Sequence, residues 1–329
     1  MKLSSILLHS TLVLFVSIGV GAPAMAQEVE PKSQQQISQE KSTGTFLGSR
    51  ISNILFSQSD RLTRPEDFGD DIQTTQGAGV ADLEGYSGPI WVSLSARRST
   101  LRGDDMDLDI VTVGGDVISA PDGIFGVMFQ GDVSTQDATD GGSFDATGYM
   151  AGFYGISQLG SVTFDLRLSA GETSNDISNF GARVDDVKSE RWLAAFQVLS
   201  TEELPNGVLL VPNGGFSWFE DRMEAYTIGA TPVEEETIRY GQANFGSRAF
   251  IPISLGATQG DVILAASTIY GFGPSAGEEV PEGVRARLDL GVEFYNADVW
   301  QASAGVFFDG VGLEEYEATG LDLGVTLWF

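Results

Sequence analysis

The residues best suited to acid–base or metal chemistry in this sequence are carboxylates, and they come in runs. Gly103-Asp104-Asp105-Met106-Asp107-Leu108-Asp109 is the densest. Asp104, Asp105 and Asp107 are its candidate oxygen ligands for a hard cation such as Ca²⁺. The run lacks the glycine and glutamate placement of an EF-hand loop, so its plainer reading is a solvated acidic loop at a strand end. Acidic pairs elsewhere would suit proton transfer, but they recur along the chain and no pair stands apart. The nucleophile chemistries are poorly supplied. There is no cysteine, and the single histidine is His9, inside the apolar N-terminal stretch. Once that stretch is removed, Ser-His and Cys-His catalysis and the common zinc sites are excluded. The expectation is a protein that is not an enzyme and carries no cofactor.

Net charge is −28, which excludes a basic nucleic-acid surface. Acidity of that size can signal disorder, but 42% hydrophobic residues leave ample apolar surface to bury. With 41 glycines and 20 phenylalanines, the composition favours strands and turns over helices.

At the N-terminus, Lys2 precedes an apolar stretch running to Val20, and Ala24-Met25-Ala26 stands before Gln27. This is the pattern of a cleaved secretory signal peptide over residues 1–26. A membrane-anchoring helix is the alternative, which the good cleavage site disfavours. No later segment has 18 consecutive apolar residues. Residues 27–45 are polar, rich in Gln and Ser, and read as a disordered linker.

Leu47, Ile51, Ile54, Leu55 and Leu62 come next at roughly helical spacing, and Pro65 would end the helix. Arg50, Arg61 and Arg64 make this stretch basic within an acidic chain. From about Tyr86 the period becomes two. Val162, Phe164, Leu166 and Leu168 alternate with Thr163, Asp165, Arg167 and Ser169, and Leu288, Leu290 and Val292 with Asp289, Gly291 and Glu293. Phe307 and Trp328 break the rule by falling on the polar face.

About twelve such segments occupy 86–329, most of ten or more residues, the length of a membrane-spanning strand rather than a soluble one. Their connections read as alternately short (119–122, 157–160, 201–206, 256–260, 296–298) and long (99–106, 135–142, 173–187, 220–236, 273–282, 310–314), with the acid concentrated in and beside the long ones. The pattern specifies an all-β, antiparallel transmembrane barrel. Residues 46–70 are expected as a helix segment and 71–329 as the barrel. Arg97, Asp165, Arg167, Arg285, Arg287, Asp289 and Glu293 fall on the inward face. They would line a selective pore or, in a packed lumen, pair with one another and with the helix arginines. Trp91, Trp192, Trp218, Trp300 and Trp328 suit either an interfacial belt or ordinary packing.

Ile90-Trp91-Val92, Ala96-Arg97-Arg98-Ser99 and the stretch from Ala297 to Phe329 together resemble the translocator β-domain of the autotransporters of Gram-negative bacteria. The resemblance spans about 46–329. It implies a twelve-strand barrel with one N-terminal helix in the lumen, so Arg50, Arg61 and Arg64 would lie inside. Leu327 and the terminal Phe329 are similar to the C-terminal signal read by the barrel-assembly machinery, and that end would face the periplasm. The implied surroundings are outer-membrane lipid, with the chain a monomer. The departure from the family is that only a short polar stretch stands where a large passenger would. The expected function is therefore surface display or translocation of that segment, or a structural surface role. A passive pore is the alternative if the helix leaves the lumen, and a secreted soluble β-rich binding module is the outsider.

Overall fold

The structure, a computed structural model, describes residues 90–120, 123–138, 141–179, 181–256, 258–273, 280–296 and 299–327, together with Gln39, Thr43, Phe46, Leu47 and Arg50. His9, Ala24, Ala26, Gln27, Arg61, Arg64, Trp328 and Phe329 lie outside the described residues, as does most of the segment 46–70.

Fifteen strands are arranged in order: β1 (Ile90–Leu101), β2 (Asp104–Ala120), β3 (Gly123–Asp137), β4 (Ser143–Leu159), β5 (Val162–Asn179), β6 (Ala182–Ser200), β7 (Glu202–Glu203), β8 (Leu209–Met223), β9 (Tyr226–Ile228), β10 (Thr231–Val233), β11 (Glu236–Leu255), β12 (Thr258–Phe272), β13 (Gly283–Asn296), β14 (Trp300–Val311) and β15 (Tyr316–Leu327). Three are short pieces within connections. The other twelve form one antiparallel ring in which each strand pairs with its neighbours in sequence, β8 pairs with β11, and β15 pairs with β1. Closure runs in register from Ile90↔Leu327 to Leu101↔Tyr316. The first and last strands therefore begin and end at the same rim.

The period-two pattern decides which side chains face out. Val284, Leu288, Leu290 and Val292 of β13, and Leu321, Leu323, Val325 and Leu327 of β15, are exposed. Their alternate neighbours Arg285, Arg287 and Glu293 are buried. An apolar exterior with a polar, buried interior is the inverse of a soluble barrel and is what lipid requires.

Connection length corrects one expectation. The rim carrying most of the acid is not marked by long loops. β1 joins β2 through Arg102 and Gly103 alone, both at positive φ (55° and 91°), the backbone of a tight hairpin turn. β5 joins β6 across 180–181. Only 224–235 and 273–282 are long at this rim, and the connection 201–208 at the other rim is longer than expected. Several of the acidic residues are instead strand residues whose side chains pair across strands. Thr100 Oγ1 donates to Asp105 at 2.6 Å, Arg98 faces Asp107 at 3.5 Å, and Arg183 reaches Asp176 at 3.2 Å. Above the apolar belt Lys188 bonds to Asp186, and that bond, with a second from Ser174, holds the Asp186 carboxyl below its usual range. Such ladders keep strands paired in water past the end of the lipid belt.

Leu290 sits mid-strand, 52% exposed, opposite Leu264 and Val306. Leu290→Arg is expected to destabilise the barrel in lipid vesicles by about 2–4 kcal/mol. A shift in the denaturant midpoint measures this, and an unchanged midpoint would place this face outside the bilayer.

Candidate functional site

The inward face is the only place where charged groups are brought together out of water among the described residues. Alternation along each strand puts every second side chain into the lumen, so polar residues there must find partners or bear the cost of desolvation. The structure pairs them. Arg167 binds its strand neighbour Asp165 through Nε at 3.1 Å and Nη2 at 2.5 Å. Arg97 donates through Nε to Ser95 Oγ at 2.7 Å and reaches Asp322 at 3.4 Å. Arg287 donates twice to Asp289, at 2.9 and 2.7 Å. Arg285 donates to Asp309 at 3.1 Å, to the Tyr240 hydroxyl at 3.1 Å and to Gln242 at 3.2 Å. Glu293 is buried on the same face of β13.

Phe307, out of pattern in the sequence, has a role in this wall. Its ring lies between two guanidinium groups, Arg97 at 4.8 Å and Arg287 at 4.0 Å. Each such cation–π contact is worth more than about 0.5 kcal/mol once desolvated. Gly320 makes the space, because a Cβ there would run into the Phe307 ring. An aromatic on the polar face is thus a spacer that holds two arginines apart.

Asp104, Asp105 and Asp107 do not form a cation site. They lie on β2 rather than in a loop, so their side chains alternate. Asp104 is buried in the lumen, while Asp105 and Asp107 are exposed on the outside and occupied by Thr100 and Arg98. Among the described residues no cluster of acidic side chains could hold a metal ion.

The largest buried assembly was not singled out by sequence spacing. At the acidic rim, Met106, Leu108, Ile110, Phe144, Met150, Ile177, Leu193, Phe219, Met223 and Tyr240 form an apolar cluster on the inward face. Ile228 and Val233, from the β9–β10 hairpin, and Val280 join it from the two long connections. Phe46 and Leu47 complete it. Gln39, Thr43, Phe46, Leu47 and Arg50 all have helical backbone and all are buried. Their spacing of four, three, one and three places them on one helical face. Gln39 and Thr43 therefore correct the expectation of a linker running to residue 45: they are packed, because the barrel wall offers partners to that face.

The contacts run in order. Asn179 Nδ2 donates to Gln39 Oε1 at 2.6 Å, and Gln39 Nε2 donates to the Tyr226 hydroxyl at 3.1 Å. Thr43 Oγ1 bonds the same hydroxyl at 2.9 Å. Phe46 stacks on Phe144 with centroids 4.7 Å apart. Arg50 donates through Nη1 to Asn175 Oδ1 at 2.7 Å and pairs through Nη2 with Asp221, all with buried side chains.

One lumen pair spans two strands. Arg191 on β6 crosses β5 and β4 to bind Asp132 on β3, with Nη1–Oδ1 at 3.0 Å, and neither side chain is exposed. Gly148 on β4 leaves room for the guanidinium. Asp132→Ala strands a buried cation and is expected to cost about 3–5 kcal/mol in a denaturation midpoint. Replacing both partners together (Asp132→Leu with Arg191→Met) is expected to recover most of that loss, and equal losses in both variants would sink the assignment.

Comparison with known proteins came to the same architecture independently. The sequence matches the family model described as the autotransporter beta-domain over residues 90–306. No curated protein matches it. The translocator domain of the autotransporter NalP from Neisseria meningitidis is similar, with a TM-score of 0.64 at 14% identity, covering 89% of this chain and 99% of that one. The β-domain of the Bordetella autotransporter BrkA gives 0.61 at 16% identity, covering 74% and 100%. The transport unit of AIDA-I from Escherichia coli gives 0.59 at 15%, covering 76% and 93%. At these identities the solved structures speak to the fold alone. The family model covers well over half of the chain, and the closed ring of twelve strands is the family's architecture. The chain belongs to the autotransporter β-domain family and is an outer-membrane barrel of that kind.

Proposed function

We propose that this barrel carries its own N-terminal segment through the lumen and presents what lies upstream of Gln39 at the acidic rim. The observation that supports this is the order of contacts. Gln39 meets Asn179, the last residue of β5 at that rim, whereas Arg50 meets Asn175, four residues deeper on the same strand. Four strand residues span about 13 Å. The helical rise from position 39 to 50 is about 16 Å. The two lengths agree for a helix entering the lumen from the rim and running inward.

On this reading the acidic rim is the outer surface, and the polar residues 27–38 are the displayed segment. The rim holding Ile90 and Leu327 is periplasmic, the end presented to the barrel-assembly machinery together with Phe329. Lipid covers the apolar exterior of a monomer, residues 1–26 are removed on export, and the barrel performs no catalysis. A passive pore is the weaker reading, because Phe46, Leu47 and Arg50 occupy the acidic end of the lumen.

An epitope inserted between Gln27 and Ser33 tests the proposal. On intact cells it is expected to be membrane-associated and removed by added protease. An epitope that stays protected until the outer membrane is permeabilised would put the segment in the periplasm and overturn the reading.

A further inference from the structure

The acidic end of the lumen holds a site more specific than a plug requires. Asn175, Asp221 and Phe46 surround one guanidinium on three sides. Asn175 presents Oδ1 to Arg50 because its own Nδ2 is spent on the Val187 carbonyl at 2.8 Å and Ser189 Oγ at 2.9 Å. That orientation is set by wall residues alone, so the acceptor stands ready whether or not Arg50 is there. Asp221 supplies the charge, fully buried on β8. The Phe46 ring lies 4.9 Å from the Arg50 guanidinium carbon and stacks on Phe144 of the wall. The β9–β10 hairpin closes over the same face, with the Tyr226 hydroxyl bonded to both Gln39 and Thr43.

We propose that this wall is a guanidinium-reading site for a helical peptide, and that its recognition of Arg50 fixes the register at which the N-terminal segment comes to rest in the barrel. The chemistry of the ligand is set by the partners. It must be helical, with an aromatic residue one turn before an arginine, and with short polar side chains one and two turns earlier to meet Tyr226. Lysine suits the site less well, because it must make from one nitrogen the two bonds that Arg50 makes from Nη1 and Nη2, and it has no planar group to lay on the Phe46 ring. Sliding the segment by one residue in either direction would rotate the arginine by about 100° off the site and leave Asp221 buried without its cation. Register is therefore set by a penalty on every other position, and the apolar contacts of Phe46 and Leu47, which are tolerant of sliding, do not set it alone.

The inference rests on the threading proposed above, and its test separates the two. The chain has no cysteine, so an introduced pair reports cleanly. Gln39→Cys with Asn179→Cys should be joined by a short thiol-specific cross-linker in the folded full-length barrel, because the tips of the native side chains meet at 2.6 Å and the linker makes up the length that two cysteines lack. Adding Asp221→Ala is expected to lower the yield about tenfold or more, the effect of leaving a buried cation unpaired. Adding Arg50→Ala should lower it comparably. That second variant lies on the segment and leaves the barrel wall intact, as heat-modifiable gel migration will confirm. Arg50→Lys, which keeps the charge but not the fork, is expected to fall between the parent pair and Arg50→Ala. Full cross-linking in the Arg50→Ala barrel would overturn the register site while leaving the threading in place. No cross-link in the parent pair would overturn the threading itself.

Discussion

Every part of this structure depends on the fact that lipid offers no hydrogen bonds to a backbone. A strand inside the bilayer must have a partner on both sides, so the sheet has to close, and it closes by pairing β15 with β1 over their full lengths. Closure then fixes where the chain ends lie. Twelve strands, an even number, return the chain to the rim where it started, so Ile90 and Leu327 are neighbours. A segment upstream of Ile90 can reach the opposite rim only by crossing the barrel. Gln39 at that far rim, with its helical face against the inner wall, meets this constraint.

Closure also dictates the chemistry of the interior. The strand period gives each strand one lipid face and one lumen face, and the lumen face has no water-free way to stay polar except by pairing. Arginine suits the task because its fork can meet a carboxylate and still stack on a ring. Arg285 uses both, with Asp309 on one side and the Tyr316 ring at 5.2 Å on the other. Where the wall has to admit a long side chain it uses glycine. Gly148 yields to Arg191, and Gly126 yields to Tyr154, whose hydroxyl bonds Asp116. These glycines keep strand conformation. Their value is the missing Cβ rather than unusual backbone.

Much of this was legible in the residues themselves. The alternation around Asp165 and Arg167, and around Arg285, Arg287 and Asp289, is enough to put those side chains on the inner face, and the apolar partners Leu166, Leu288 and Leu290 on the outer. The pairings were less legible. Arg167 with Asp165 is local and comes from a spacing of two. Arg191 with Asp132 depends on strand tilt carrying one side chain over two intervening strands, which no local pattern encodes. The connections misled for a physical reason. Acidic residues such as Asp105, Asp107 and Asp176 look like loop residues, because charge usually marks solvent. Here they mark solvent on one face of a strand that continues beyond the membrane. Phe307 was legible only as an anomaly, since Arg287 reaches it from the neighbouring strand β13 but Arg97 comes from β1, which is brought beside it only by closure.

The lumen is also graded along its axis, and the grading matches the segment it holds. At the acidic rim the segment is polar, Gln39 and Thr43 against Asn179 and Tyr226. One turn further in it is apolar, Phe46 and Leu47 against Phe144 and its cluster. Deepest among these contacts comes a single charge, Arg50, on Asn175 and Asp221. A desolvated ion pair adds little net stability compared with apolar residues of the same volume. Its cost is asymmetric, though: small when the pair is made and large when one partner is absent. Apolar contacts attract wherever they meet, so they hold a segment without choosing its place. A lone buried carboxylate set below them penalises every arrangement but one, which is how a smooth-walled tube can hold a helix at a defined depth.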